Sequence, residues 1–180
     1  GKSGGLLWKV RTRTPSGVHS SPFIEGDRIW ITDSYGWLYA LSKSGEVLDA
    51  HQLESTGGAY LFASPVRLPS GIVVVGASGA SKSHQGIWVV DTKKSTWKSQ
   101  FYRIGKVSAT AIIADLLGDG KLEAGVLTEK GELVVIDHGG KLVGRFELRN
   151  NGGEASPYCD DLDGDGQLEL VLLTRDGYLR

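Results

Sequence analysis

One phrase returns four times along the chain: Ser20-Ser21-Pro22-Phe23, Ala63-Ser64-Pro65-Val66, Ala109-Thr110-Ala111-Ile112 and Ala155-Ser156-Pro157-Tyr158. Its second residues stand at 21, 64, 110 and 156, so the steps are 43, 46 and 46 residues. A period of that size belongs to architectures of stacked repeats, and it constrains the fold before any single residue is interpreted.

The content of each period selects among them. After each phrase comes a turn and an apolar run: Arg28-Ile29-Trp30-Ile31-Thr32, Ile72-Val73-Val74-Val75, Ala124-Gly125-Val126-Leu127 and Leu168-Glu169-Leu170-Val171-Leu172-Leu173. A glycine then opens a second run, as in Gly36-Trp37-Leu38-Tyr39-Ala40-Leu41 and Gly131-Glu132-Leu133-Val134-Val135-Ile136, and a third closes the unit, as in Lys141-Leu142-Val143-Gly144-Arg145-Phe146. Segments of roughly 4–8 residues, rich in β-branched and aromatic residues and bounded by Gly, Ser and Asp, read as strands. No segment carries a helical period of apolar residues. Four strands in about 40–45 residues make one blade of a β-propeller. The predicted fold is therefore all-β: a β-propeller unit of four four-stranded blades in one domain, 1-180, with blades at about 14-54, 55-104, 105-150 and 151-180 plus 1-13.

The ends of the chain suggest how the last blade is finished. It stops at Gly177-Tyr178-Leu179-Arg180, in its third strand, while the chain opens with Lys2-Ser3-Gly4-Gly5-Leu6-Leu7-Trp8-Lys9-Val10, which matches an outer strand. The N-terminal segment is expected to supply that outer strand and close the unit by covering an open edge. The other reading is a piece of a larger propeller. Met is absent altogether, so the chain reads as a processed product or an excised fragment.

Composition limits the function classes. Glycine, 26 of 180 residues, is about twice the usual share and suits a turn-rich β protein. A net charge of -1 argues against a nucleic-acid binder, and no apolar run approaches the roughly 20 residues that span a bilayer. A single cysteine, Cys159, excludes an internal disulfide framework and falls in a strand, where it reads as core.

The sharpest chemical signal is Asp161-Leu162-Asp163-Gly164-Asp165-Gly166-Gln167-Leu168-Glu169. Carboxylates at positions 1, 3 and 5 converge when the chain turns at the glycine of position 6. Gln167 then offers a backbone carbonyl and Glu169 completes an oxygen cage suited to Ca²⁺. Asp161, Asp163, Asp165, Gln167 and Glu169 are the candidate calcium ligands, in a loop that joins strands. The third repeat carries Asp115-Leu116-Leu117-Gly118-Asp119-Gly120-Lys121-Leu122-Glu123, with Leu117 where the second carboxylate belongs. That loop is expected to be empty or weak. The matching turns of the first two repeats are too short for a metal.

The segment from Val18 to Leu48, with Ser20-Ser21-Pro22 and Asp33-Ser34-Tyr35-Gly36-Trp37-Leu38-Tyr39-Ala40-Leu41, resembles a pyrroloquinoline-quinone-type propeller repeat. Trp8 and Trp97 stand where those repeats carry a fourth-strand tryptophan, whereas Asp49 and Gly144 do not keep it. The loop from Asp161 to Glu169 resembles the calcium loop of FG-GAP repeats. These resemblances imply the propeller and leave the function open among quinoprotein dehydrogenases, assembly lipoproteins and extracellular binding proteins. No cluster matches the tryptophan platform, arginine and catalytic acids of the quinoproteins.

Other motifs fail on context. Gly76-Ala77-Ser78-Gly79-Ala80-Ser81-Lys82-Ser83 has the outline of a phosphate loop but lacks its second glycine and leads into a strand. His19, His51, His84 and His138 share no ligand spacing. The serines lack a nucleophile-elbow context. Trp30, Trp37, Trp88 and Tyr39 read as blade packing, and the loop from Gly76 to Gln85 as an exposed binding-face candidate. The resulting expectation is a non-enzymatic, calcium-stabilised module for protein or glycan, extracellular or periplasmic, which as a homodimer would form a larger ring. The alternative is part of a quinoprotein-like dehydrogenase.

Overall fold

A computed structural model of the chain describes residues 4–15, 17–53, 60–93, 95–148 and 152–179. The strands follow the repeat. The first blade is β1 (Phe23–Glu25), β2 (Arg28–Thr32), β3 (Trp37–Ser42) and β4 (Val47–Gln52), antiparallel and in that order. The second is β5 (Val66–Arg67), β6 (Ile72–Ser78), β7 (Gln85–Asp91) and β8 (Lys98–Tyr102). The third is β9 (Ile112–Ala114), β10 (Glu123–Leu127), β11 (Glu132–Ile136) and β12 (Leu142–Glu147). In the fourth, β13 (Tyr158–Asp160) pairs with β14 (Glu169–Val171), and a bridge between Leu173 and Leu179 marks the start of a third strand. The one helical element described is a single 3-10 turn, Lys82–His84. The fold is a four-blade β-propeller unit, as the repeat predicts.

Strand periodicity sorts the core into two layers between blades. Val73, Val75 and Ala77 of β6 pack with Trp30, Leu38 and Ala40 of blade one. The alternate residues, Ile72 and Val74, pack with Ala124, Val126, Val134 and Ile136 of blade three. Blade two is thus covered on both faces, which explains its unbroken apolar runs. At Gly86 an added Cβ would meet the Tyr102 carbonyl oxygen at 2.0 Å, so only glycine lets β7 and β8 approach there.

The repeated phrase has a specific job. The Ser21 N–H donates to Ser64 Oγ (2.9 Å), the Ser64 N–H to Thr110 Oγ1 (3.1 Å) and the Thr110 N–H to Ser156 Oγ (3.0 Å). Each blade therefore donates a backbone hydrogen bond to the hydroxyl of the next, each worth about 1 kcal/mol net. The sequence period is the period of this ladder.

The N-terminal segment takes a different place from the one its sequence suggests. Residues 4–15 form no strand and lie on blade one, not on the edge of blade four. Trp8 donates from Nε1 to the Lys43 carbonyl (2.9 Å) and its indole covers Gly45, where a Cβ would sit 2.5 Å from the ring. The Arg13 N–H donates to Tyr39 Oη, its guanidinium lies 4.7 Å over Trp37, and Thr14 Oγ1 donates to Asp33 Oδ2 (2.8 Å). The cause is local: Trp37, Tyr39 and Leu41 point away from blade two, and this segment covers them where no preceding blade does. Asp33, fully buried, also accepts from Tyr35 N, Trp37 N and Tyr39 Oη, so it ties the turn between β2 and β3 to the segment. Burial, more than Asp33, pushes the Tyr39 hydroxyl up to about 12.

Candidate functional site

Two loops at the same end of neighbouring blades carry the carboxylates that the sequence singles out. Each joins the first strand of its blade to the second: Asp161–Glu169 between β13 and β14, and Asp115–Glu123 between β9 and β10. In each loop the first aspartate anchors the turn. Asp161 Oδ1 accepts from the Gly164 N–H (2.7 Å) and Oδ2 from the Gly166 N–H (2.9 Å). Asp115 Oδ1 accepts from Asp119 N (3.0 Å) and Oδ2 from Gly120 N (2.9 Å). The fifth-residue bond is the same in both, so the turn survives the loss of the middle carboxylate at Leu117.

In blade four, oxygens of Asp161, Asp163 and Glu169 lie within 4.8 Å of one another. Asp165 stands outside this group, its Oδ1 accepting from Gln167 N and its Oδ2 from Gln167 Nε2. The structure therefore brings three of the five candidate residues together and pairs the other two with each other. An all-oxygen donor set of this kind fits a hard cation such as Ca²⁺. Glu169 Oε2 also accepts from Leu162 N (2.8 Å), which holds the end of the loop over its start.

The loop in blade three, with the weaker motif, has the better-protected acid. Asp115, Asp119 and Glu123 also bring oxygens within 4.8 Å. Glu123 is fully buried, since blade four covers the face on which it stands. Its Oε2 accepts from the Leu116 and Leu117 amides at 3.0 and 3.3 Å, while its Oε1 is buried without a partner. An unmet buried acceptor of this kind costs about 1–3 kcal/mol unless a proton or a cation satisfies it. Asp119 is engaged by Lys121 through Nζ (3.0 Å) and the amide, and the hydrogen bond from that ammonium holds its carboxyl below the usual range.

A cleft of about 630 Å³ opens between the loops, lined by Asp115, Leu116, Leu117, Gly166, Gln167 and Leu168. Leu117 and Leu168 are exposed on its walls. Sequence reasoning missed this surface. The signal was available as Leu116 and Leu117 in one loop and Leu168 in the other.

The remaining candidates are packing residues or stand apart. Trp30 is fully buried, Trp88 meets Phe101 in a tilted contact at 4.8 Å, and both indole N–H groups are buried without a hydrogen-bond partner. Cys159 is only partly buried, where the sequence suggests core, and burial first, then Asp160 and Glu169, raises its thiol, which favours the protonated form. The four histidines lie in separate surroundings: His19 against Phe62, His51 beside Trp97, His84 within its serine turn and His138 beside the blade-three loop. The expected Gly76–Gln85 loop is shorter in the structure, because Gly76, Ala77 and Ser78 belong to β6 and Gln85 to β7; the turn between is organised by its own serines, Ser81 Oγ meeting Ser83 Oγ at 2.6 Å and His84 Nδ1 at 2.7 Å.

No protein-family model and no curated protein matches the sequence. Solved structures do match. BamB from Moraxella catarrhalis superposes with a TM-score of 0.60 at 19% identity, over 97% of this chain and 47% of that one. The quinohemoprotein alcohol dehydrogenase of Comamonas testosteroni gives 0.64 at 11% identity, over 90% of this chain and 33% of that one. BBS1N, solved in complex with ARL6DN, gives 0.59 at 20% identity, over 88% and 44%. The fold is that of the quinoprotein and BamB propellers, and the chain spans between a third and a half of those chains. No helix among the described residues is long and apolar enough to cross a membrane.

Proposed function

We propose that this chain is a non-enzymatic propeller module, stabilised by calcium in its last blade, that binds a protein or glycan partner outside the cytoplasm. The observation that carries the reading is the meeting of Asp161, Asp163 and Glu169 within 4.8 Å on a turn already tied by the Gly164 and Gly166 amides. Calcium bound there neutralises three acids and ties the first two strands of the blade. Asp165 would join by releasing Gln167. A loop with few protein ligands binds weakly, in the roughly 10⁻⁴–10⁻³ M class that fills only outside cells. That supports the extracytoplasmic placement, together with the resemblance to FG-GAP loops.

The binding role is supported by exposed Leu117 and Leu168, which line the cleft between the loops. A protein is favoured over a glycan because BBS1N, of the same fold, was solved with a protein partner. The likeness to a quinohemoprotein alcohol dehydrogenase, at 11% identity, is one of fold, and a shared fold does not supply a shared chemistry. The test is a pair of titrations on EDTA-stripped protein. Calcium should bind saturably and raise the melting temperature, and pyrroloquinoline quinone should not saturate. A flat calcium titration with an unchanged melting temperature refutes the metal assignment, and 1:1 quinone binding replaces the module reading with the enzyme one.

A further inference from the structure

The loop of blade three keeps an acceptor that its own turn does not use. Glu123 opens β10 and pairs with Ala114 at the end of β9, so Asp115 and Glu123 stand at the two strand ends that the loop joins. Glu123 Oε2 ties the Leu116 and Leu117 amides across the loop. That capping role accounts for one oxygen alone. Oε1 of the same fully buried side chain meets no donor among the described residues. A carboxylate oxygen sealed from water without a partner is costly, and it points to something that completes it.

The neighbours of Glu123 say what that is. One oxygen each from Asp115, Asp119 and Glu123 lie within 4.8 Å of one another. Asp119 is exposed and Asp115 half-buried, so a small ion has a route in through them. Three carboxylates here face one ammonium, Lys121 Nζ, which is exposed and bound to Asp119 at 3.0 Å. Two negative charges remain. The group is also in place without the carboxylate that position 117 lacks. Asp115 holds the Asp119 and Gly120 amides, and Leu116 packs on β10 at Gly125, where an added Cβ would lie 2.8 Å from Leu116 Cδ1. Strand ends and an apolar contact thus fix the acids before any ligand arrives.

We infer that the blade-three loop holds a divalent, oxygen-seeking cation of the calcium class of its own, with Asp115, Asp119 and Glu123 as its carboxylate ligands and water completing the shell. The cation neutralises the remaining charge and supplies the partner that Glu123 Oε1 lacks. Asp119 turns from Lys121 to the metal, which releases the ammonium to solvent. The acid absent from the sequence pattern is offset by one that is buried, where attraction between charges is stronger than at a surface. No residue is shared with the Asp161–Glu169 loop, so the two sites stand or fall separately.

The test is calcium titration of EDTA-stripped protein, by calorimetry and thermal unfolding, up to about 10 mM calcium chloride. Four forms are compared: the unaltered chain, Asp161→Ala, and Asp161→Ala carrying either Glu123→Gln or Asp119→Asn. Asp161→Ala, with the blade-four loop disabled, should still bind saturably and melt higher with calcium. Each added substitution should weaken that remaining step about tenfold or more. Asp119 is exposed, so its variant should keep a native circular dichroism spectrum and decides the matter if Glu123→Gln disturbs the fold. Absence of saturable binding in Asp161→Ala overturns the inference and leaves the blade-four assignment standing. Binding there that neither added substitution weakens overturns it too, since the metal then sits elsewhere. Equal binding by the unaltered chain and Asp161→Ala, lost in the double variants, supports the blade-three site and refutes the blade-four one.

Discussion

The loops of blades three and four are near copies in sequence and differ in what covers them. Glu123 and Glu169 occupy the same register position, yet Glu123 is fully buried beneath blade four while Glu169, in the last blade described, is partly exposed. Covering converts a surface acid into a buried one with an unmet oxygen. Ligand count in sequence and ligand quality in structure are therefore separate properties: the loop with three aspartates is open, and the loop with two encloses its glutamate.

Four measurements break or sharpen that contrast. The largest effect belongs to Glu123→Ala, which empties a filled site and releases the Leu116 and Leu117 amides; about 3 kcal/mol should be lost in urea unfolding. Glu169→Ala without calcium should cost about 1 kcal/mol, and equal losses would show that covering is immaterial. Next, Asp161→Ala removes both a ligand and the anchor of two amides, so calcium affinity should fall about 100-fold by calorimetry, some 2.7 kcal/mol. A smaller gain is expected from Leu117→Asp, which restores the missing carboxylate: calcium should bind the blade-three loop about tenfold tighter in a double variant that also carries Asp161→Ala. If affinity does not rise there, the cage of blade three is closed to cations.

The smallest effect concerns Asp119. Its hydrogen bond from Lys121 favours the ionised carboxyl, so this contribution is present above the ordinary carboxylate range and fades as pH falls through the lowered value. In Lys121→Ala, carboxyl NMR should find Asp119 titrating at higher pH.

Much of this was readable in the chain because it rests on period. The phrase at 21, 64, 110 and 156 placed every first strand, and alternation within Ile72–Ser78 already separates the two layers that blade two joins. Position-specific contacts were less legible. The N-terminal segment resembles an outer strand, but sequence similarity does not rank a free strand edge against an uncovered aromatic face. Trp37 and Tyr39, held by Arg13, decide that competition. Asp165 reads as a ligand by spacing, and only geometry reveals that Gln167 engages it. Glu123 reads as a copy of Glu169 because burial by a neighbouring blade leaves no mark in its own loop.

The ladder at Ser21, Ser64, Thr110 and Ser156 has a consequence for how such a chain can change over generations. Each interior rung uses one residue as both donor and acceptor, so its unit cell is one whole period. Duplicating or deleting a complete period leaves the remaining rungs intact, with nothing to redesign at the hub. Blade number is then free to drift by gene duplication, one whole period at a time.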